Sequence, residues 1–311
     1  MAAQREWPQS FADRLIGPMP KISEVARSMW ARDPQWAPGE AERIPVLHAG
    51  LPPLGSSDTA ITWVGHATYL VRTTEAAVLI DPVWSEKITG APRRITSPGV
   101  AFSDLPPIDA VAITHDHYDH LDAATLRRLP RSTPMLVPGG LGRWFRRRGF
   151  TEVVEFDWGE SAQVGSLAFD FVPARHWSRR GLRDTCRTLW GGWVITTPQG
   201  RRLYHAGDTG YGPHFREIGR QYAPIDIAMV PIGAYAPRSA MHLAHMAPEE
   251  AVRAALDTGA AYTASMHWGT FVLTKEPLME PWELLCKAWR EAGSDPAQLW
   301  DLAVGETRML P

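Results

Sequence analysis

The sequence predicts an α/β domain, and three observations predict it. From Ala60 onward, short runs rich in β-branched and aromatic residues recur along the chain. Helical patterns fall between them. There is no short-period repeat and no low-complexity segment, which argues against a solenoid or a disordered scaffold. Taken in order, the strand candidates are AITWV, TYLVRT, AVLID, DAVAIT, PMLVP, EVVEF, LAFDFV, WVITT, RRLYHA and DIAMVPI. The helix candidates are Leu121 to Leu129, Leu141 to Arg148, Pro213 to Tyr222, Pro248 to Leu256 and Leu278 to Glu291. The last places Leu278, Trp282, Leu285 and Trp289 on one face. Before them, residues 1–58 carry eight prolines, a density that excludes long regular elements apart from a short helix near Lys21 to Ala31. This stretch reads as an arm lying on a domain that spans 59–311.

Composition narrows the function classes. The 311 residues hold 32 basic and 34 acidic side chains, so no whole-molecule field attracts nucleic acid, and no nucleic-acid partner is expected. Only Cys186 and Cys286 are present, which excludes a disulfide framework and any all-cysteine metal site and fits a reducing compartment. The N-terminus lacks the apolar run of a signal peptide, and no stretch approaches a membrane span, so a cytoplasmic protein is expected. Trp supplies 14 of the 30 aromatic residues, and Trp suits both core packing and a boundary between apolar surface and water.

The chemistry concentrates after the strand DAVAIT. Thr114-His115-Asp116-His117-Tyr118-Asp119-His120 reads H-x-H-x-D-H, and in an extended exit from a strand His115 and His117 project to the same side. Imidazole and carboxylate together suit zinc. His176, Asp208 and His267 each follow a β-like run. Alone each is an ordinary turn or hydrogen-bonding residue; in order behind H-x-H-x-D-H they form a ligand set.

With these residues the sequence resembles the metallo-β-lactamase superfamily. The resemblance implies a single-domain four-layer αβ/βα sandwich with a dinuclear metal site at the strand ends. It further implies that His115, His117 and His176 hold one zinc, that Asp119, His120 and His267 hold the other, and that Asp208 bridges them. The strings Thr62-Trp-Val-Gly-His-Ala-Thr, Leu105-Pro-Pro-Ile-Asp-Ala-Val, Gly207-Asp-Thr-Gly-Tyr, Pro231-Ile-Gly-Ala-Tyr-Ala-Pro-Arg, Pro248-Glu-Glu-Ala-Val and His267-Trp-Gly-Thr-Phe are similar to those of the N-acylphosphatidylethanolamine-hydrolysing phospholipase D family. That narrower resemblance runs from about Ile61 to the C-terminus. It implies two Zn²⁺ per chain, or other divalent metals, and a phosphodiesterase that releases an N-acylethanolamine and phosphatidate. Asp119 and His245 then have catalytic roles, with His245 positioning substrate or donating a proton. His66 and Asp81 orient ligands from behind. Related enzymes form homodimers, which makes a homodimer an expectation.

Trp177, Arg179, Arg180 and His242 are expected to contact substrate or lipid. Arg179, Arg180, Arg183 and Arg187 form one basic cluster, and Arg143, Arg146, Arg147 and Arg148 form another, interleaved with Trp144 and Phe145. Both read either as solvated faces or as a patch for anionic headgroups at a membrane surface. The competing functions are a hydrolase of a soluble ester, lactone or phosphodiester on the same fold, and a catalytically weak lipid-binding scaffold. A flavo-diiron oxidoreductase would be expected to carry glutamate where His117 stands, and nothing here resembles a nucleophile elbow.

Overall fold

The computed structural model describes residues 5–19 and 38–311. The helix expected near Lys21 to Ala31 lies outside the described residues. All ten strand candidates form strands, and they assemble with four others into two seven-stranded sheets. The first sheet contains β1 (Ala60–Gly65), β2 (Thr68–Arg72), β3 (Ala77–Ile80), β4 (Ala110–Ala112), β5 (Met135–Pro138), β6 (Val153–Phe156) and β14 (Thr307–Met309), in the order β14-β1-β2-β3-β4-β5-β6. The second contains β7 (Ser161–Val164), β8 (Leu167–Val172), β9 (Gly192–Thr196), β10 (Arg202–His205), β11 (Ile227–Pro231), β12 (Tyr262–Met266) and β13 (Leu299–Trp300), in the order β13-β12-β11-β10-β9-β8-β7.

The two sheets share one plan. Three antiparallel pairs lie on one side and three parallel pairs on the other: β14 to β3 then β3 to β6 in the first, and β7 to β10 then β10 to β13 in the second. Parallel neighbours need crossovers. These carry α1 (Ala123–Leu126), α2 (Gly142–Arg146), α3 (His214–Tyr222), α4 (Arg238–Met241), α5 (Pro248–Thr258) and α6 (Glu280–Glu291). Along β2 to β5 the side chains alternate between two cores. Tyr69, Val71, Val78, Ile80, Ala110, Ala112 and Leu136 face the second sheet, while Leu70, Leu79, Val111, Met135 and Val137 pack with Leu126 and Phe145 of α1 and α2. Phe215, Val252 and Leu285 bring α3, α5 and α6 into the larger core from the other side. The result is the four-layer sandwich.

Local chemistry sets the helix ends. Asp122 caps α1 by accepting from Ala124 N at 3.0 Å. Pro248 opens α5, Glu250 reaches back to Ala247 N at 2.9 Å, and Gly259 closes the helix in the left-handed conformation. On α6, Leu285 and Trp289 are buried, as is Leu278 just before it, and Trp282 stacks on Trp268. Sequence reading missed β7, β13, β14 and α4, which are short or lie at sheet edges.

The described parts of the arm are tied down. Phe11 is buried and its N–H donates to Cys186 O at 2.6 Å, and Arg14 pairs with Asp157 at 2.9 Å. Leu47 N donates to Val304 O and Val304 N to Pro45 O. Both cysteines are free. No helix among the described residues is long and apolar enough to cross a membrane.

Candidate metal centre

The site lies where strand ends of both sheets meet. Asp81, directly after β3, is fully buried and anchors the first-sheet half. It accepts from Thr114 N at 2.8 Å, from Thr114 Oγ1–H at 2.6 Å and from His120 Nδ1–H at 2.7 Å. The Thr114 hydroxyl, its hydrogen directed at Asp81, accepts from His115 Nδ1–H at 3.0 Å. Across the cleft, His176 Nδ1–H donates to Ala244 O at 3.0 Å. Each bond fixes a tautomer that leaves the Nε2 lone pair of His115, His120 and His176 facing inward, as in histidines that bind metal.

Two groups of ligand atoms result, each lying within 4.8 Å of one another. His115, His117, His176 and Asp208 make one; Asp119, His120 and His267, joined by His66, make the other. Within the first, His117 Nδ1 lies 3.0 Å from His115 Nε2 and 3.2 Å from His176 Nε2. One Nδ1–H on His117 can serve only one of two bare nitrogens well, whereas a cation among the three would satisfy all of them, so the donor set fits a metal. Asp208 Oδ2 stands between the groups, 3.8 Å from His115 and His176, 3.2 Å from His120 and 3.1 Å from His267. Asp208 Oδ1 and His120 Nε2 are buried without a hydrogen-bond partner.

His66 Nε2 lies 3.0 Å from Asp119 Oδ2 and the His66 ring packs 4.2 Å from that of His267. His66, Asp81 and His267 all adopt left-handed backbone, with φ of 54°, 44° and 64°. Such strain in non-glycine residues persists only where surrounding contacts overdetermine it. Burial and the two carboxylates split the histidines. Burial pushes His115 and His176 well below the ordinary imidazole range, His117 to about 4 and His66 to about 3. Burial also opposes charge on His120 and His267, but Asp208 and Asp119 overcome it, holding His120 well above that range and His267 at about 9. For Asp119 and Asp208 burial is likewise outweighed by His120 and its neighbours, which hold both carboxyls well below their usual range.

A cavity of about 610 Å³ opens over both groups, walled by Ile88, Trp177, Leu182, Met241, Leu273 and His245. The Trp177 ring meets His117 edge-on at 4.9 Å. His245 is buried at the wall, its ring 5.2 Å from His176 and 5.4 Å from His267, and its Nδ1 has no partner. Burial lowers its pKa to about 4. Its nitrogen also groups with Asp208 and His267.

The structure places the other candidate contact residues as follows. His242 is exposed and its Nδ1 lies 2.8 Å from Arg238 O, outside the cavity wall, because at 100° per residue the turn that directs Met241 and His245 inward directs His242 outward. Arg180 borders the cavity, but its Nη1 donates to the carbonyls of Asp116, His117 and Leu121, and its guanidinium lies 4.0 Å over Tyr118, so it braces the ligand-bearing turn. Arg146 is no free member of a basic patch, since it pairs with Glu155 at 2.8 Å. No described Trp is among the exposed large apolar residues; at the cavity mouth that place falls to Leu182, which is 90% exposed.

Sequence reading also missed Asp116, Thr114 and Ala244. Buried Asp116 accepts from Arg179 N at 2.8 Å and Thr188 Oγ1 at 3.0 Å, tying the cavity-wall loop to the turn between His115 and His117. Burial raises its pKa to about 6.

A family model described as the β-lactamase superfamily domain matches residues 76–268. The solved structure of Igni18, a metallo hydrolase from Ignicoccus hospitalis, superposes with a TM-score of 0.62 at 25% identity, covering 82% of this chain and 99% of that one. Sandwich, strand-end His/Asp groups and family match define the class: the chain belongs to the β-lactamase superfamily and has the metallo-β-lactamase fold, with side-chain groups able to hold metal. Individual relatives are similar over most of the chain. N-acyl-phosphatidylethanolamine-hydrolyzing phospholipase D 1 of Caenorhabditis elegans is 37% identical over 238 residues, 71% of this chain and 67% of that protein. An uncharacterized protein of Mycobacterium tuberculosis is 44% identical over 245 residues, and the match spans 75% of this chain and 64% of that relative's length. A UPF0173 metal-dependent hydrolase of Koribacter versatilis is 32% identical over 227 residues, 70% of this chain and 88% of its own length.

Proposed function

We propose that the protein is a dinuclear zinc phosphodiesterase that hydrolyses N-acylphosphatidylethanolamine to an N-acylethanolamine and phosphatidate. The observation that carries this reading is the apolar-walled cavity set directly over two groups of ligand atoms with Asp208 Oδ2 between them. The similarity to the phospholipase D of Caenorhabditis elegans supports it.

His115, His117, His176 and Asp208 would hold one ion, and Asp119, His120, His267 and Asp208 the other. Bound divalent ions supply Lewis acidity toward phosphoryl oxygens and make water acidic enough to attack near neutral pH. The chain's own residues then do three things. Ile88, Met241 and Leu273 shelter acyl chains beside the reacting phosphorus and exclude bulk water. Arg179, whose Nε is held by Gly181 O, brings its remaining guanidinium donors to the anionic diester. His245 offers the substrate the buried ring nitrogen that no protein group occupies. Attack forms a bond from water oxygen to phosphorus and breaks the bond to the ethanolamine oxygen, and a proton from that water ends on the departing alcohol, with His245 positioned to hold or relay it.

Exposed Leu182, with exposed Arg183 and Arg187 on the same loop, suits transient contact with an anionic lipid surface from the cytoplasmic side. A second reading is hydrolysis of a soluble ester, lactone or phosphodiester, for which the match to a metal-dependent hydrolase of Koribacter versatilis, over 70% of this chain and 88% of that one, leaves room. One experiment separates them: metal analysis joined to turnover of long-chain N-acylphosphatidylethanolamine in vesicles and of a short soluble phosphodiester. The lipid should be the faster substrate, with close to two metal ions per chain. Equal or faster turnover of the soluble diester, with no vesicle association at any salt concentration, favours the second reading.

A further inference from the structure

His176 and Asp208 must reach the same metal from strands that are not neighbours, because β9 runs between β8 and β10. Their loops are joined instead through the residue after Asp208. Thr209 Oγ1 accepts the N–H of Arg175, the residue before His176, at 2.9 Å, and donates its own hydrogen to Gly210 O at 2.8 Å. Gly210 N returns a bond to Arg175 O at 2.9 Å. The Thr209 carbonyl accepts from Met246 N at 3.1 Å, next to His245. One residue thus touches the three loops that carry His176, Asp208 and His245.

The remaining lone pair of the hydroxyl is filled from behind. His214, buried at the start of α3, places Nε2 3.1 Å from Thr209 Oγ1. A hydroxyl has one hydrogen and two acceptor sites, so with the hydrogen on Gly210 O and one site on Arg175 N, the imidazole must donate from Nε2. Nδ1 is then a bare acceptor, and it is buried without a partner. The ring is seated against Phe215 at 4.2 Å, and a Cβ at Gly212 would come 3.0 Å from Nδ1. Burial, then Arg175, lowers the His214 pKa to about 4, which keeps the ring neutral.

We propose that Thr209 and His214 are a positioning pair for the metal centre: the hydroxyl fixes the separation of the His176 and Asp208 loops, and the imidazole fixes the hydroxyl. With every hydrogen-bonding site filled, the hydroxyl has one orientation, and the two ligand loops have one spacing. The inference rests on the metal centre and is independent of which substrate the cavity takes.

The test uses the full chain loaded with cobalt(II), whose visible absorption reports ligand geometry, and a chelator competition that measures affinity. His214→Leu and Thr209→Val remove the bond; His214→Gln and Thr209→Ser keep a donor or hydroxyl in place. The first two should lose about 10- to 100-fold in metal affinity and shift the cobalt bands. The second two should restore both. Thermal unfolding of the metal-free variants gives the separate measure of general destabilisation. Unchanged affinity and spectrum in His214→Leu, with only a lower unfolding temperature, would make the pair packing and overturn the proposal. So would failure of His214→Gln and Thr209→Ser to restore what His214→Leu and Thr209→Val lose. Wild-type protein that takes up no cobalt would overturn the metal-centre reading instead.

Discussion

The two sheets contribute to the site in opposite styles. The first supplies His115, His117, Asp119 and His120 from a single turn after β4, braced by one buried carboxylate, Asp81, that reaches both Thr114 and His120. The second supplies His176, Asp208 and His267 from the ends of three strands, braced by separate contacts: a carbonyl behind His176 and a threonine hydroxyl beside Asp208. A ligand set local in sequence needs one strand end and one anchor. A dispersed set needs the whole sheet to be in register.

That contrast can be broken or sharpened by experiment. Asp208 belongs to one group and its Oδ2 lies 3.2 and 3.1 Å from His120 and His267 of the other, so Asp208→Ala should remove most metal from both and reduce hydrolysis to background, measured by metal analysis and turnover together. Loss from one group alone would show the halves to be independent. His245 faces the cavity from the dispersed half, and His245→Ala should lower turnover by about 10²- to 10⁴-fold with metal content near wild type. Metal loss in that variant would make His245 a ligand, an arrangement its grouping with Asp208 and His267 would then explain. Asp81→Asn keeps the shape of the anchor but replaces half its acceptor capacity with donors. It should weaken metal binding by about 10- to 100-fold, read by chelator competition, because the tautomers of His115 and His120 both depend on it. If the local half tolerates that change while Thr209→Val disturbs the other half, the single anchor is the sturdier design. The smallest effect belongs to the outer layer. Arg146→Ser should cost about 1 kcal/mol or less, roughly 2 °C in unfolding temperature, with metal content unchanged, since the pair is partly exposed and Glu155 keeps the Gly140 and Gly142 N–H groups.

The same contrast explains what the sequence disclosed. H-x-H-x-D-H is visible because its ligands are adjacent and their spacing matches a strand exit. His176, Asp208 and His267 became meaningful only as a series. His242 and His245 are chemically equal on the page, and only the direction of a short helix separates them. The arginine clusters display charge but conceal partners: Glu155 lies nine residues beyond Arg146, and the acceptors of Arg180 are backbone carbonyls no side-chain pattern marks. The roles of Thr209 and His214 were hidden for a similar reason, since a threonine before glycine looks like any turn.

The edge strand β14 has a consequence in time. Its Thr307 hydroxyl meets that of Thr62 on β1 at 2.7 Å, across a sequence separation of 245 residues. A growing chain therefore exposes the edge of its first sheet until Thr307 is made, roughly 12 to 50 s after β1 emerges at the usual pace of about 5–20 residues per second. For most of that interval the H-x-H-x-D-H turn already exists while His267 does not. A nascent chain that has not reached His267 thus presents part of a binding site to whatever ions surround the ribosome, and only one that has passed it carries all seven candidate ligands together.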